Sequence, residues 1–186
     1  QKTVEEQMIT LSNYEYTYTG TLLKPEVTVR DRETTLTQDK DYTVKNDGGT
    51  AVGTYEVTVT GQGNYKGTAS KKFVIRTKEA GVFDVTLSDE SMTFTGSELQ
   101  PTVTVKDGET TLTAGTHYTV AYQNNVNVGT ATVVVTGQGQ YEGQKSKTFL
   151  ITPKTLTDEM VALNEVWFVY NALVQRPEVT VTDGTA

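Results

Sequence analysis

The sequence predicts an all-β chain of tandem antiparallel β-sandwiches. Three observations carry this: a repeat of 76 residues without a gap, apolar residues spaced by two within short runs, and no amphipathic helical period in any window. A constant offset carries Gly20 to Gly96, Pro25 to Pro101, Asp31 to Asp107, Tyr42 to Tyr118, Gly61 to Gly137 and Phe73 to Phe149. A second step carries Leu87 to Leu163, Pro101 to Pro177, Val103 to Val179 and Asp107 to Asp183. The copies start near Lys2, Lys78 and Lys154, which divides the chain into repeat one over 1–77, repeat two over 78–153 and the start of a third over 154–186. Loops tolerate insertion more readily than strands, so their unchanged lengths point to recent duplication.

Within one copy the elements follow in order. Tyr14, Tyr16 and Tyr18 alternate with Glu15, Thr17 and Thr19, the period of a strand; copy two places Glu90, Met92 and Phe94 there. Tyr16/Met92 and Tyr18/Phe94 stay large and apolar and are expected to face the core, whereas Tyr14/Glu90 is expected at an edge. Residues 27–29 and 33–36 form a hairpin around Asp31-Arg32, or Asp107-Gly108 in copy two, for which a type I′ turn is expected. Arg32 is then the strained version of Gly108, by about 1 kcal/mol. Tyr42 and Val44, then Tyr55, Val57 and Val59, then Phe73 and Ile75 supply the later strands. Seven or so short strands separated by Gly, Asn and Asp turns fit an immunoglobulin-like sandwich better than a barrel. A sandwich of this size buries about 60% of its unfolded surface, so its stability margin is small.

Composition narrows the function. Sixteen Lys and Arg against twenty-three Asp and Glu give a net charge of −7, and no basic run compensates, which argues against nucleic acid. No stretch approaches the roughly 18 apolar residues of a membrane span. The absence of cysteine removes disulfides, thiolate chemistry and zinc knuckles. The sequence opens at Gln1 without a basic and apolar leader of its own, so any signal peptide is expected to have been removed or to lie outside it, and export must be argued otherwise.

No set of residues calls for catalysis or a cofactor. His117, the sole histidine, corresponds to Asp41 in copy one and reads as an exposed turn residue. Ser12/Ser88 and Ser70/Ser146 recur without a base or a nucleophile elbow. The tip at 61–67, GQGNYKG, and its copy GQGQYEG at 137–143 are spaced G-x-G-x-x-x-G and join strand to strand, unlike a dinucleotide site that opens a helix. They read instead as a wide turn with Tyr65 and Tyr141 folded over the sandwich end, as in a tyrosine corner. Asp39, Asp41 and Asp47 become Gly115, His117 and Gln123, which favours a solvated acidic loop over calcium. Asp31 with Glu33, and Asp107 with Glu109, recur and are the better cation candidates, although a hairpin commonly carries such residues. Lys71 and Lys147 share parity with the inward Phe73 and Phe149; laying the stem on the core with the ammonium in water is preferred to a Lys–Asn or Lys–Asp crosslink. In the third copy residues 166–170 are apolar on both strand faces, which implies a cover for the extra face or the exposed core of an incomplete copy.

The string TYTG-x-x-x-x-P-x-VTV-x-D, then L-T, YTV, VGT, V-x-VTG-x-G-x-Y-x-G and F-x-I resembles the bacterial Ig-like repeats that include MBG-type modules. It falls here on residues 17–20, Pro25, 27–29, Asp31, 36–37, 42–44, 52–54, 57–61, Gly63, Tyr65, Gly67, Phe73 and Ile75. Copy three keeps Pro177, 179–181, Asp183 and Gly184 but has Asn171-Ala172 for Thr-Gly. The resemblance implies an extracellular, exported chain, at a bacterial surface or secreted, whose repeats act as stalk or spacer in an adhesin-like protein. It brings no shared catalytic residues. The alternative is a module that binds a glycan or host protein, accessory to a secreted carbohydrate-active enzyme, through Tyr65, Tyr141, Asn124 and Asn125. The other expected partners are neighbouring repeats of the same chain.

Overall fold

The structure is a computed structural model and describes residues 1–183; Gly184 lies outside the described residues. Copy one contains β1 (Lys2–Thr3), β2 (Ile9–Leu11), β3 (Glu15–Thr17), β4 (Val27–Asp31), β5 (Thr34–Thr35), β6 (Tyr42–Lys45), β7 (Gly53–Gly61), β8 (Tyr65–Lys66) and β9 (Thr68–Arg76). Copy two repeats the set as β10 (Lys78–Glu79), β11 (Asp84–Leu87), β12 (Ser91–Thr93), β13 (Val103–Asp107), β14 (Thr110–Thr111), β15 (Tyr118–Gln123), β16 (Gly129–Gly137), β17 (Tyr141–Glu142) and β18 (Gln144–Thr152). The third copy begins with β19 (Val161–Leu163) and β20 (Val179–Val181). A 3-10 turn precedes β2, β11 and β19. The chain is all-β.

Each complete copy is two sheets with the core between them. A three-stranded sheet, β2-β4-β5, faces a four-stranded sheet, β3-β9-β7-β6; copy two repeats this as β11-β13-β14 and β12-β18-β16-β15. Alternation decides which residues meet: Ile9, Leu11 and Val29 from one sheet and Val57, Val59, Phe73 and Ile75 from the other are buried together. Copy two encloses Val85, Val105, Val133, Val135, Phe149 and Ile151. Tyr16 closes one edge, its ring 5.7 Å from Phe73 and nearly perpendicular to it. Tyr14 is exposed, and Glu90 at its counterpart position ion-pairs Lys147 at 3.2 Å.

The ladders are mixed rather than purely antiparallel. β3 runs parallel to β9, and β12 to β18: in each copy the chain passes from one sheet to the edge of the other just after β2 or β11, and lies there beside the last strand of the copy. A second parallel pair joins β1 to β8, and β10 to β17, tying the start of each copy to its own tip. The hairpin also differs from expectation. Asp31 lies opposite Thr34, so the central pair is Arg32-Glu33, and of these only Arg32 has positive φ (53°). Gly108 stands there in copy two with φ 57°. Positive φ at the first central position alone is the pattern of a type II′ turn, which asks for Gly at that place. Arg32→Gly is therefore expected to stabilise copy one by about 1 kcal/mol, read as a raised denaturation midpoint; an unchanged or lower midpoint would count against turn strain.

In the third copy β19 pairs with β20 in the inherited register, Val161 opposite Val181, as Ile9 is opposite Val29. Val161 is 43% exposed where Ile9 is 2%, since the strands that cover this face in copies one and two have no counterpart within 154–183. Val166, Trp167, Val169 and Tyr170 are exposed, and residues 166–170 form no strand.

Candidate functional site

The residues that recur as chemistry meet at one end of each sandwich. β1 lays Lys2 beside β8, and β4 ends on Asp31 below them, so the Lys2 ammonium ion-pairs Asp31 while the Tyr65 hydroxyl donates to Asp31 Oδ2 at 3.2 Å. In copy two Lys78 Nζ lies 2.8 and 2.7 Å from the two Asp107 oxygens, and the Tyr141 hydroxyl donates to Asp107 Oδ2 at 3.2 Å. Lys154 ion-pairs Asp183 in the third copy. The Lys2 hydrogen bond, seconded by Tyr65, holds the Asp31 carboxyl below its ordinary pKa. Each Asp expected as a cation ligand thus already has an ammonium and a phenol for partners. Glu33 and Glu109 are exposed on the turn beyond. Among the described residues no three or more Asp, Glu or His converge as a metal-binding group.

The glycine-rich tip is shaped by its own backbone. The Gly61 N–H donates to the Gly67 carbonyl at 2.9 Å, as Gly137 does to Gly143, closing a wide turn around the tyrosine. Gly63 and Gly139 take φ of 63° and 67°, and a Cβ on Gly61 would lie 2.7 Å from the Lys66 nitrogen. The glycines answer to chain geometry, not to a phosphate.

Tyr141 is not the exposed platform that sugar stacking needs; it is 6% exposed, its ring edge-on to Phe83 at 5.1 Å and to Tyr18 at 5.7 Å. Burial, followed by the Asp107 charge and hydrogen bond, pushes its phenol up to about 12. Burial and Asp31 raise Tyr65 as well. A folded-state pKa above the unfolded value of about 10 means that this stabilisation is whole below pH 10 and lost as pH rises through 12. Copy two is expected to lose about 2 kcal/mol across that window, since one pKa unit corresponds to about 1.4 kcal/mol. Alkaline titration of its unfolding midpoint checks this, and Tyr141→Phe should flatten the dependence.

Asn125 is buried rather than presented to a ligand. Its Nδ2 donates to the Leu99 carbonyl at 3.1 Å, and its own carbonyl accepts the Leu99 N–H at 2.8 Å. Asn124 beside it is exposed with φ 56°, a left-handed conformation Asn tolerates, where copy one uses Gly48 at φ 72°. His117 is half-buried rather than exposed, its ring edge-on to Tyr141 at 6.0 Å. Its Nδ1 accepts the Thr113 N–H at 2.9 Å, as Asp41 Oδ2 accepts the Thr37 N–H at 2.9 Å. Asp39 takes φ 65° where Gly115 stands in copy two. Lys71 and Lys147 send their ammonium groups to Glu6 at 3.0 Å and Glu90 at 3.2 Å, so each stem runs along the sheet to a carboxylate at its rim.

Sequence reasoning missed the junction between the copies. The segment 76–82 between the copies is mostly structured: β9 ends on Arg76 and β10 starts on Lys78, leaving Thr77 alone between strands. Across this junction Tyr18 meets Tyr141, and the Val52 N–H donates to Gln140 Oε1 at 2.5 Å. Arg76 bonds Glu15 at 2.5 Å, and its pKa is raised first by that bond and in smaller part by Glu142 of the next copy. The Lys–Asp pairing inside each copy did leave a signal, since Lys and Asp recur at the same two places in all three copies, although nothing local says that they touch.

Carboxylates, amides and phenols here close and connect sandwiches, which defines an immunoglobulin-like tandem-repeat protein. The chain belongs to the MBG domain family, whose domain matches residues 8–79 and again 83–155. It is a family of non-catalytic modules. No curated protein matches. Among solved structures, a protocadherin gammaB7 EC3-6 cis-dimer is similar at 9% identity with a TM-score of 0.23, covering 84% of this chain and 49% of that one. The chain spans about half the length of that structure. Among the described residues no helix is long and apolar enough to cross a membrane.

Proposed function

We propose that the chain is a non-catalytic spacer, a stalk segment of an adhesin-like protein at a bacterial surface or secreted from the cell. The observation that carries this reading is serial construction: two sandwiches with the same elements, one residue between them, and conspicuous polar residues spent on holding each sandwich closed. Tyr141 and Asn125, the strongest candidates for a glycan or host-protein contact, are buried in that work, which favours spacing over recognition. A compact domain of this length is about 30 Å across, so two in series are expected to extend over roughly 60 Å. Small-angle scattering of the chain tests this: an elongated distance distribution is expected, and a compact globular profile would sink the spacer reading.

A further inference from the structure

A spacer can be a string of loose beads or a stiff rod. The two copies offer an internal comparison that distinguishes these. Val52 and Val128 occupy the same place just before β7 and β16, yet Val52 is half-buried and hydrogen-bonded to Gln140, whereas Val128 is 51% exposed. Tyr65 and Tyr141 occupy the same place in the tip, yet Tyr65 is half-buried where Tyr141 is fully enclosed. Tyr18, half-buried, packs against the cores of both copies, whereas Phe94 packs against that of copy two. In each pair the member at the junction has the extra cover.

We infer that the far end of copy one, built from Tyr18 and the Val52 N–H, is a receptor for the Gly-Gln-Gly-Gln-Tyr tip of copy two, and that this joint locks the two copies at one fixed angle. Three features act together. The Tyr18 and Tyr141 rings meet edge to face, an arrangement aromatic quadrupoles favour. The Val52–Gln140 hydrogen bond fixes rotation about the chain axis, because a backbone donor cannot turn to follow its partner. The junction itself is taut: Tyr18 N–H donates to the Arg76 carbonyl at 2.9 Å, and two residues later Lys78 N–H donates to the Gln140 carbonyl at 3.0 Å. With so short a tether the effective concentration of tip at receptor reaches the millimolar range, so weak contacts suffice to keep the joint shut. At the far end of copy two the Phe94 N–H donates to the Thr152 carbonyl at 2.9 Å, the counterpart of the Tyr18–Arg76 bond.

The inference rests on the spacer reading for its purpose but not for its test. The chain has no cysteine, so Thr28→Cys with Thr104→Cys places one spin label on an exposed strand position of each copy. Electron–electron double resonance is expected to give one narrow distance distribution. Tyr18→Ala and Gln140→Ala should each broaden it at least twofold while both copies keep their native amide spectra. Gln140 lies on the tip, outside the core, so its variant answers even if Tyr18→Ala impairs folding. A broad distribution in the parent chain overturns the fixed joint, and a narrow one unmoved by Gln140→Ala overturns the receptor assignment. A compact scattering profile with narrow distances would instead remove the spacer reading and leave the joint.

Discussion

Tyr141→Ala is expected to destabilise copy two by about 3 kcal/mol, the general cost of removing a buried aromatic ring. The ring fills the end of the sandwich against Phe83, and its hydroxyl donates to Asp107, which also pairs with Lys78. Tyr141→Phe separates the two parts. It keeps the packing and forfeits the hydrogen bond to a carboxylate, which is worth about 2 kcal/mol. Urea denaturation followed on amide resonances of copy two would read both variants, with copy one as an internal reference. Equal losses for Ala and Phe would mean that the ring contributes nothing, contrary to its enclosure.

Gly49→Asn is expected to cost copy one about 2 kcal/mol, the range of an overpacked core position. Gly49 has an ordinary backbone, but a Cβ there would lie 2.3 Å from the Tyr55 ring. Tyr55 stacks on Phe73 at 5.4 Å, and its hydroxyl donates to the Ala51 carbonyl at 2.8 Å. Copy two solves the same space differently, with Asn125 and Ala131 at these two positions. Gly49 and Leu23 exchange backbone hydrogen bonds at 2.9 and 2.8 Å; in copy two the Leu99 N–H reaches the Asn125 carbonyl and the Asn125 side chain reaches the Leu99 carbonyl. Installing copy two's pair, Gly49→Asn with Tyr55→Ala, should therefore recover at least half of the sum of the single losses. A strictly additive double variant in a denaturation cycle would refute the exchange.

A similar exchange links Asn46 to Tyr122, which share a register position and both donate to a proline carbonyl, Pro25 at 2.8 Å and Pro101 at 2.7 Å. Residues that look freely varied between the copies are thus alternative solutions to one geometric demand. Asp41 and His117 are another such pair, both accepting the N–H four residues earlier. In the structure the contact is kept and the residue type varies, because an N–H donates to, and a carbonyl accepts from, any partner of suitable reach.

The amino-acid sequence by itself determined the all-β class, the 76-residue step and the core-facing parity of Tyr16, Val57, Val59, Phe73 and Ile75, since alternation and turn residues are local signals that burial simply reads out. It also marked Tyr65 and Tyr141 as folded over the sandwich end. Tertiary structure alone decided that β3 and β12 run parallel to their partners, that Lys2 and Lys78 neutralise Asp31 and Asp107, that Asn125 turns inward, and that Tyr18 reaches Tyr141 across the junction. Those pairs stand far apart along the chain or depend on which sheet a strand joins, and no local propensity carries that information. Only the closing of two sheets over a shared core brings them together.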